Sequence, residues 1–303
     1  MSRSQVAAFT VTVATLVALA ACASGPSVAA SSRAQAAAEP TRLAMVEGFI
    51  QPEAARYDPA QDVYFVANWG DGRAGVRDTN GFISRMRPDG TIESLRWIAG
   101  KANGVELHSP LGMTIVGDTL WVVDVGAVRG FDRRSGAPLR TVEFTGMDVG
   151  FLNDVAAGPD GTLYVTDTGK DRVYRVRGDV AVAIGDSALG RPNGITWDAA
   201  GRRFLVVPFG GARAIRAWTP EAAGLTDVGT SAGARFDGVE VLAGNRILVA
   251  SQADSSLHLF ENGAGRPIAR ISGPPADIAV DTRRNRVAVP IIRLNRVELW
   301  QLP

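Results

Sequence analysis

The sequence predicts an all-β fold, a six-bladed β-propeller whose ring is closed by pairing between the two chain ends. Three observations predict it. First, one phrase recurs six times in the 303 residues. Each copy is a turn, often led by proline, then an apolar strand, a tight polar turn and a second strand rich in valine and aromatics. Aligned on their strands, the copies share a position that falls at Glu53, Leu111, Asn153, Asn193, Asp237 and Ala276. The intervals are 58, 42, 40, 44 and 39 residues. A period of roughly 40–50 residues built from short strands is the signature of propeller blades. Second, the last copy is one strand short, whereas residues 42–49 precede the first copy and have no place in it. Third, apolar and polar residues alternate throughout, punctuated by glycine and proline turns, as half-buried strands require.

The first repeat is legible strand by strand. Residues 53–57 form an innermost strand, and Asp58-Pro59-Ala60-Gln61 is a turn. Residues 63–68 and 81–87 are the second and third strands. Pro88-Asp89-Gly90 turns the chain into an outer strand over 91–98. The polar, glycine-rich insertion at 69–80 is expected to form a loop over the channel mouth. The third repeat reads as strands over 153–157, 162–167 and 172–176 around Gly158-Pro159-Asp160-Gly161. After Ala276 come strands at 278–280, 286–290 and 296–302, and residues 42–49 supply the missing fourth. Closing the ring in this way removes its last exposed edges. Leu43, Met45 and Phe49 are expected to pack there.

Residues 1–21 have the layout of a secretory signal peptide. Arg3 precedes an apolar stretch from Val6 to Ala21 that only threonine interrupts. It ends Leu19-Ala20-Ala21-Cys22, which resembles the bacterial lipobox, whose cysteine is lipidated and becomes the new N-terminus. The plainer alternative is ordinary signal cleavage beside an incidental cysteine. Cys22 is the only cysteine, so the exported fold holds no internal disulfide. Residues 23–40 are mostly Ala, Ser, Gly and Pro and read as a flexible tether from the lipidated Cys22 to a propeller over 41–303. The expectation is a lipid-anchored protein on the periplasmic face of the envelope. Ala23, rather than Asp, after the cysteine favours the outer membrane.

A net charge of +1 without a basic stripe argues against nucleic-acid binding. No apolar run after residue 40 reaches the ~20 residues of a membrane span, so the only expected membrane contact is the N-terminal lipid. The remaining partner is a small molecule, bound by a monomer.

Equivalent positions of a propeller ring its central channel, so Glu53, Asn153, Asn193 and Asp237 should converge at one mouth. Asn-Asp, Asn-Gly and Asp-Gly are also common turn formers, and a lone Glu53 reads as a rim charge. All four, however, share one phase at the start of an inner strand, where no hairpin turn is needed. Two carboxylates and two carboxamides on one axis make an oxygen-rich cage for a hard divalent cation, Ca²⁺ first, then Mg²⁺ or Mn²⁺. The chain has two histidines, His108 and His258. They are too few for a histidine zinc site, and no Gly-x-Ser-x-Gly elbow is present. His108 reads as a rim residue near the channel face, and His258 as a strand position without a special role.

These residues and their contexts resemble the family of gluconolactonase, senescence marker protein and luciferin-regenerating enzyme, over about residue 42 to the end. The resemblance implies a six-bladed propeller with a divalent metal in the channel. Glu53 matches the family's metal-binding glutamate, and Asn193-Gly194 its asparagine ligand. Asn153-Asp154 matches a pair beside the metal that contacts substrate. Asp237-Gly238 matches an aspartate ligand proposed also to handle the proton. Asn80-Gly81-Phe82-Ile83-Ser84 and Ser109-Pro110-Leu111-Gly112-Met113 look like a poorly characterised bacterial branch. Two departures stand out: Ala54-Ala55 replaces a Gly-Pro, and Phe151 replaces a substrate-binding arginine of the sugar-acid lactonases. Phe151 therefore points to a less anionic or more apolar ligand. The implied function is hydrolysis of a small cyclic ester, with one bound cation, Ca²⁺ before Zn²⁺, Mg²⁺ or Mn²⁺; other esters or phosphotriesters suit the same site. The alternative is a non-catalytic, metal-containing propeller that binds a small molecule or envelope partner.

Overall fold

The computed structural model describes residues 39–185, 189–220 and 225–303. The expected leader, Cys22 and the tether up to residue 38 lie outside the described residues.

Among the described residues, alternating apolar positions become 24 short strands. The described residues open with β1 (Thr41–Glu47). Next come β2 (Pro52–Asp58), β3 (Val63–Asn68), β4 (Phe82–Met86) and β5 (Ile92–Ala99), one antiparallel sheet. The second is β6 (Met113–Val116), β7 (Thr119–Asp124), β8 (Ala127–Asp132) and β9 (Pro138–Glu143). The third is β10 (Leu152–Ala157), β11 (Leu163–Asp167), β12 (Arg172–Arg177) and β13 (Val180–Gly185). Then β14 (Pro192–Asp198), β15 (Arg203–Pro208), β16 (Ala214–Trp218) and β17 (Thr226–Thr230) form an antiparallel run. A further run is β18 (Phe236–Val241), β19 (Ile247–Ser251), β20 (Ser256–Glu261) and β21 (Ala264–Arg270). One parallel bridge between Thr230 and Ala264 joins these two runs into an eight-stranded sheet. Last are β22 (Ala279–Asp281), β23 (Arg286–Ile291) and β24 (Arg296–Gln301).

The opening strand completes the last sheet. β1 pairs antiparallel with β24, from Thr41 opposite Gln301 to Glu47 opposite Arg296. The first strands of successive runs touch in a closed cycle, β2 to β6, β10, β14, β18, β22 and back to β2. Apolar clusters fill the space between neighbouring sheets. Phe65 and Ile83 of the first sheet pack with Met113, Leu120 and Phe131 of the second. Phe49, Tyr57, Tyr64 and Met86 pack with Ala288, Val297 and Leu299 of the terminal sheet. Each such large side chain contributes about 1.5–3 kcal/mol on burial.

One expectation at the seam needs correcting. Leu43 and Met45 are 46% and 50% exposed, because the register turns them outward. Ala44, Val46 and Phe49 carry the packing instead.

Candidate functional site

Each of the four oxygen-bearing positions lies where the inner strand slips register against its neighbour. The slips fall between Pro52 and Ala54, Leu152 and Val155, Pro192 and Ile195, and Phe236 and Val239. A bulge leaves a residue unpaired and re-aims its side chain. The dipeptides Asn193-Gly194 and Asp237-Gly238 are therefore strand residues and not turns. Glycine is needed there because the next inner strand comes too close for a Cβ. At Gly194 it would stand 2.2 Å from the Asp237 carbonyl oxygen, and at Gly238 2.4 Å from the Ile278 nitrogen.

Glu53, Asn153, Asn193 and Asp237 are all buried and line one cavity of about 360 Å³, together with Phe151. Every sequence-predicted site residue of the propeller is thus brought together. Three oxygens at this site, Glu53 Oε2, Asn193 Oδ1 and Asp237 Oδ1, are buried without a hydrogen-bond partner among the described residues. Native folds rarely leave such atoms unsatisfied, and a cation is one explanation for them. The donor set of two carboxylates and two carboxamides fits a hard divalent cation. Among the described residues no group of three or more His, Cys, Asp or Glu side chains is arranged to hold a metal. A site here accordingly draws on the two asparagines.

The electrostatics agree with that fit. Burial, then the charges of Asp237, Asp277 and Asp154, hold the Glu53 carboxyl well above the usual range. Burial, then Asp154, pushes Asp237 up to about 7, against the lowering effect of a hydrogen bond from Gln252. That bond runs 2.6 Å from Gln252 Nε2 to Asp237 Oδ2. Asp154 is raised to about 6 by burial, with Arg56 opposing. Asp277 is also raised, mainly by burial and then by Asp154. Four buried carboxyls crowd this channel, where only some can be charged at once.

Below the ring, Arg56 supplies the balancing charge. Its Nη1 donates to Glu240 Oε1 at 2.7 Å, and its Nε to the Met113 carbonyl at 2.7 Å. Sequence reasoning missed this layer. Asp277 was legible in principle, since it directly follows the sixth marked position, Ala276.

Four wall residues were missed for a common reason. Trp69, Thr168, Phe209 and Gln252 each follow the second strand of their run, and all line the cavity. Their backbone N–H groups donate to the carbonyls of Gln51, Phe151, Arg191 and Arg235, respectively. The repeated position exists in the sequence, but four different side chains occupy it.

Neither histidine lines the cavity. His108 is buried, its Nδ1 accepting from the Thr79 N–H at 3.1 Å and its Nε2 lying 2.9 Å from Glu106. It is not a free rim residue. His258 is also more than a strand position. It is fully buried, with Nδ1 2.5 Å from Ser231 Oγ and Nε2 2.8 Å from Asp254 Oδ2. None of those three lines the cavity. The insertion at 69–80 does reach the mouth, where it contributes Trp69.

No protein-family model and no curated protein matches the chain. Solved structures do. A protein described as a candidate gluconolactonase matches with a TM-score of 0.65 at 18% identity, over 88% of this chain and 93% of its own. A gluconolactonase from Xanthomonas campestris matches at 0.59 and 17%, over 87% of this chain and 100% of its own. Virginiamycin B lyase from Staphylococcus aureus, in a catalytically inactive histidine-to-alanine form, matches at 0.59 and 14%, over 88% and 100%. At these identities the likeness is one of fold. The chain is an all-β, propeller-like protein whose structural neighbours include gluconolactonases.

Proposed function

We propose that the chain is a metal-dependent hydrolase of lactonase type, acting on a small cyclic ester from a six-bladed propeller. The eight-stranded sheet counts as two blades in this reading. The observation that carries it is the set of three unpartnered buried oxygens, from Glu53, Asn193 and Asp237, in one cavity. Glu53, Asn193 and Asp237 would hold the cation, Ca²⁺ first, with Asn153 beside it. When bound, the cation supplies Lewis-acid polarisation of the ester carbonyl.

The chain's own groups do the rest. The Asn153 amide donates to the carbonyl oxygen as it gains negative charge. Asp237 takes a proton from the attacking water through Oδ2, the carboxylate oxygen not given to the cation. Gln252 donates to Asp237 Oδ2 and holds the carboxylate in place, which leaves Oδ1 turned to the cation.

The lyase likeness is the weaker guide. Its inactive form lacks a histidine, and no histidine lines this cavity among the described residues. At Cys22 we propose lipidation, which would hold the propeller at the periplasmic face of the membrane. Elemental analysis of the purified protein and hydrolysis of a panel of γ- and δ-lactones, with Ca²⁺ and with chelator, test the function. Metal binding with metal-dependent turnover is expected. Absence of bound metal, with no turnover under either condition, would remove the proposal.

A further inference from the structure

The cavity mouth is built from a second repeated position. Two residues before the ring positions stand Gln51, Ser109, Phe151, Arg191, Arg235 and Pro274. The structure divides them into three arcs.

Gln51 and Ser109 do not face a ligand but tie down the loop at 69–80. Gln51 Nε2 donates to the carbonyls of Gly70 and Gly72 at 2.8 and 3.0 Å. Ser109 Oγ accepts from the Gly75 N–H at 3.3 Å. The tied loop presents Trp69 to the cavity, and its Gly75 packs near the Phe151 ring. Trp69, Phe151, Pro274 and Ile292 then make an apolar wall, beside which Arg293 also lines the cavity.

The third arc is cationic. Arg191 and Arg235 are exposed and hold left-handed backbone conformations, with φ of 62° and 52°. Both guanidinium groups lie over one ring, that of Phe209, at 5.9 and 4.6 Å from its centroid. A ring face orders a guanidinium without neutralising it. Among the described residues neither guanidinium forms an ion pair; Arg191 Nε donates to the Thr168 carbonyl at 3.5 Å, and the Arg191 backbone N–H donates to Asp171 Oδ1 at 2.7 Å. Arg191 itself lines the cavity.

We propose that the cavity takes an amphipathic carboxylate, its apolar body against Phe151 and Trp69 and its carboxylate on Arg191 and Arg235. For the ester or lactone bond within that ligand, the assignment rests on the hydrolase reading above.

Calorimetric binding to the full chain with Ca²⁺ tests the ligand class. The probes are 3-phenylpropionate, the neutral 3-phenyl-1-propanol, gluconate and 2-phenylethyl phosphate. 3-Phenylpropionate is expected to bind about tenfold tighter than the alcohol or gluconate, the usual strength of a charged hydrogen bond. Arg191→Gln with Arg235→Gln should reduce it to the level of the alcohol. A carboxylate on a bound cation would not respond to that change. In the wild type, the advantage over the alcohol should shrink from low to high salt, since exposed charges are screened. Equal affinity for acid and alcohol, tighter gluconate, tighter phosphate, or no binding by any probe would each overturn the assignment. The two readings fail separately. The affinity ranking without metal or turnover removes the hydrolase alone, and turnover of neutral lactones without the ranking removes the ligand class alone.

Discussion

Arg56 of β2 donates to Glu240 of β18, 184 positions further along the chain, at 2.7 Å. The pair joins two sheets across the channel, beneath a ring whose own carboxylates repel one another. Asp154 and Asp277 both feel Arg56 as a stabilising charge. Arg56→Met would leave Glu240 and the two aspartates buried without a counter-charge. Loss of one partner of a buried pair costs about 3 kcal/mol or more. Urea unfolding should show that loss, and adding Glu240→Leu should recover part of it. An unchanged midpoint for Arg56→Met would mean that water already screens the pair.

Crowded carboxyls make the metal-free protein sensitive to pH. Glu53, Asp154, Asp237 and Asp277 all have folded-state values above their unfolded ones. Between the unfolded values near 4 and the folded value of Asp237 near 7, the native state binds more protons than the open chain. Stability must therefore fall as pH rises through that window. Tm in chelator is expected to drop from pH 5 to pH 8. A cation binds the ionised forms, so the Tm gain from Ca²⁺ should grow over the same range. A gain that is flat with pH, or absent, would separate these carboxyls from metal binding.

Asp237 and Gln252 can be told apart by their pH profiles. Asp237→Asn should abolish lactone turnover, since an amide accepts no proton, and should weaken metal binding. Gln252→Leu removes a hydrogen bond that favours the Asp237 carboxylate. The acid limb of kcat/KM is then expected to move to higher pH, with the maximum largely kept. An unmoved limb would assign the profile to another group.

The seam between β1 and β24 should be indispensable. Deleting residues 41–49 would bare the edge of β24 and remove Ala44, Val46 and Phe49 from the cluster they share with Tyr57, Val297 and Leu299. Burial of Phe49 alone is worth about 2 kcal/mol. Aggregation or a much lower Tm is expected by light scattering and calorimetry. Leu43→Ser and Met45→Ser, by contrast, should be nearly neutral, because both side chains face solvent.

Cys22→Ser should leave the propeller folded and move it from the membrane fraction to the soluble one. Mass spectrometry of the wild-type N-terminus checks the same point. A mutant that stays with the membrane beside an unlipidated wild type would remove the anchor.

The repeat, the strand order and the seam could be read from the sequence because strand alternation and turn chemistry are local properties. The four ring residues could be read because a repeat that closes on itself turns equal phase into spatial proximity. Leu43 and Met45 show where local reading stops. Their alternation is correct, but only the register with β24 decides which face is inside. Trp69, Phe209 and Gln252 share a position without sharing chemistry, so no residue pattern marks them before the strands are in place. Arg56, Glu240 and Asp277 look like ordinary strand charges one by one. Tertiary structure alone buries them in one channel, where burial and mutual charge couple their titration.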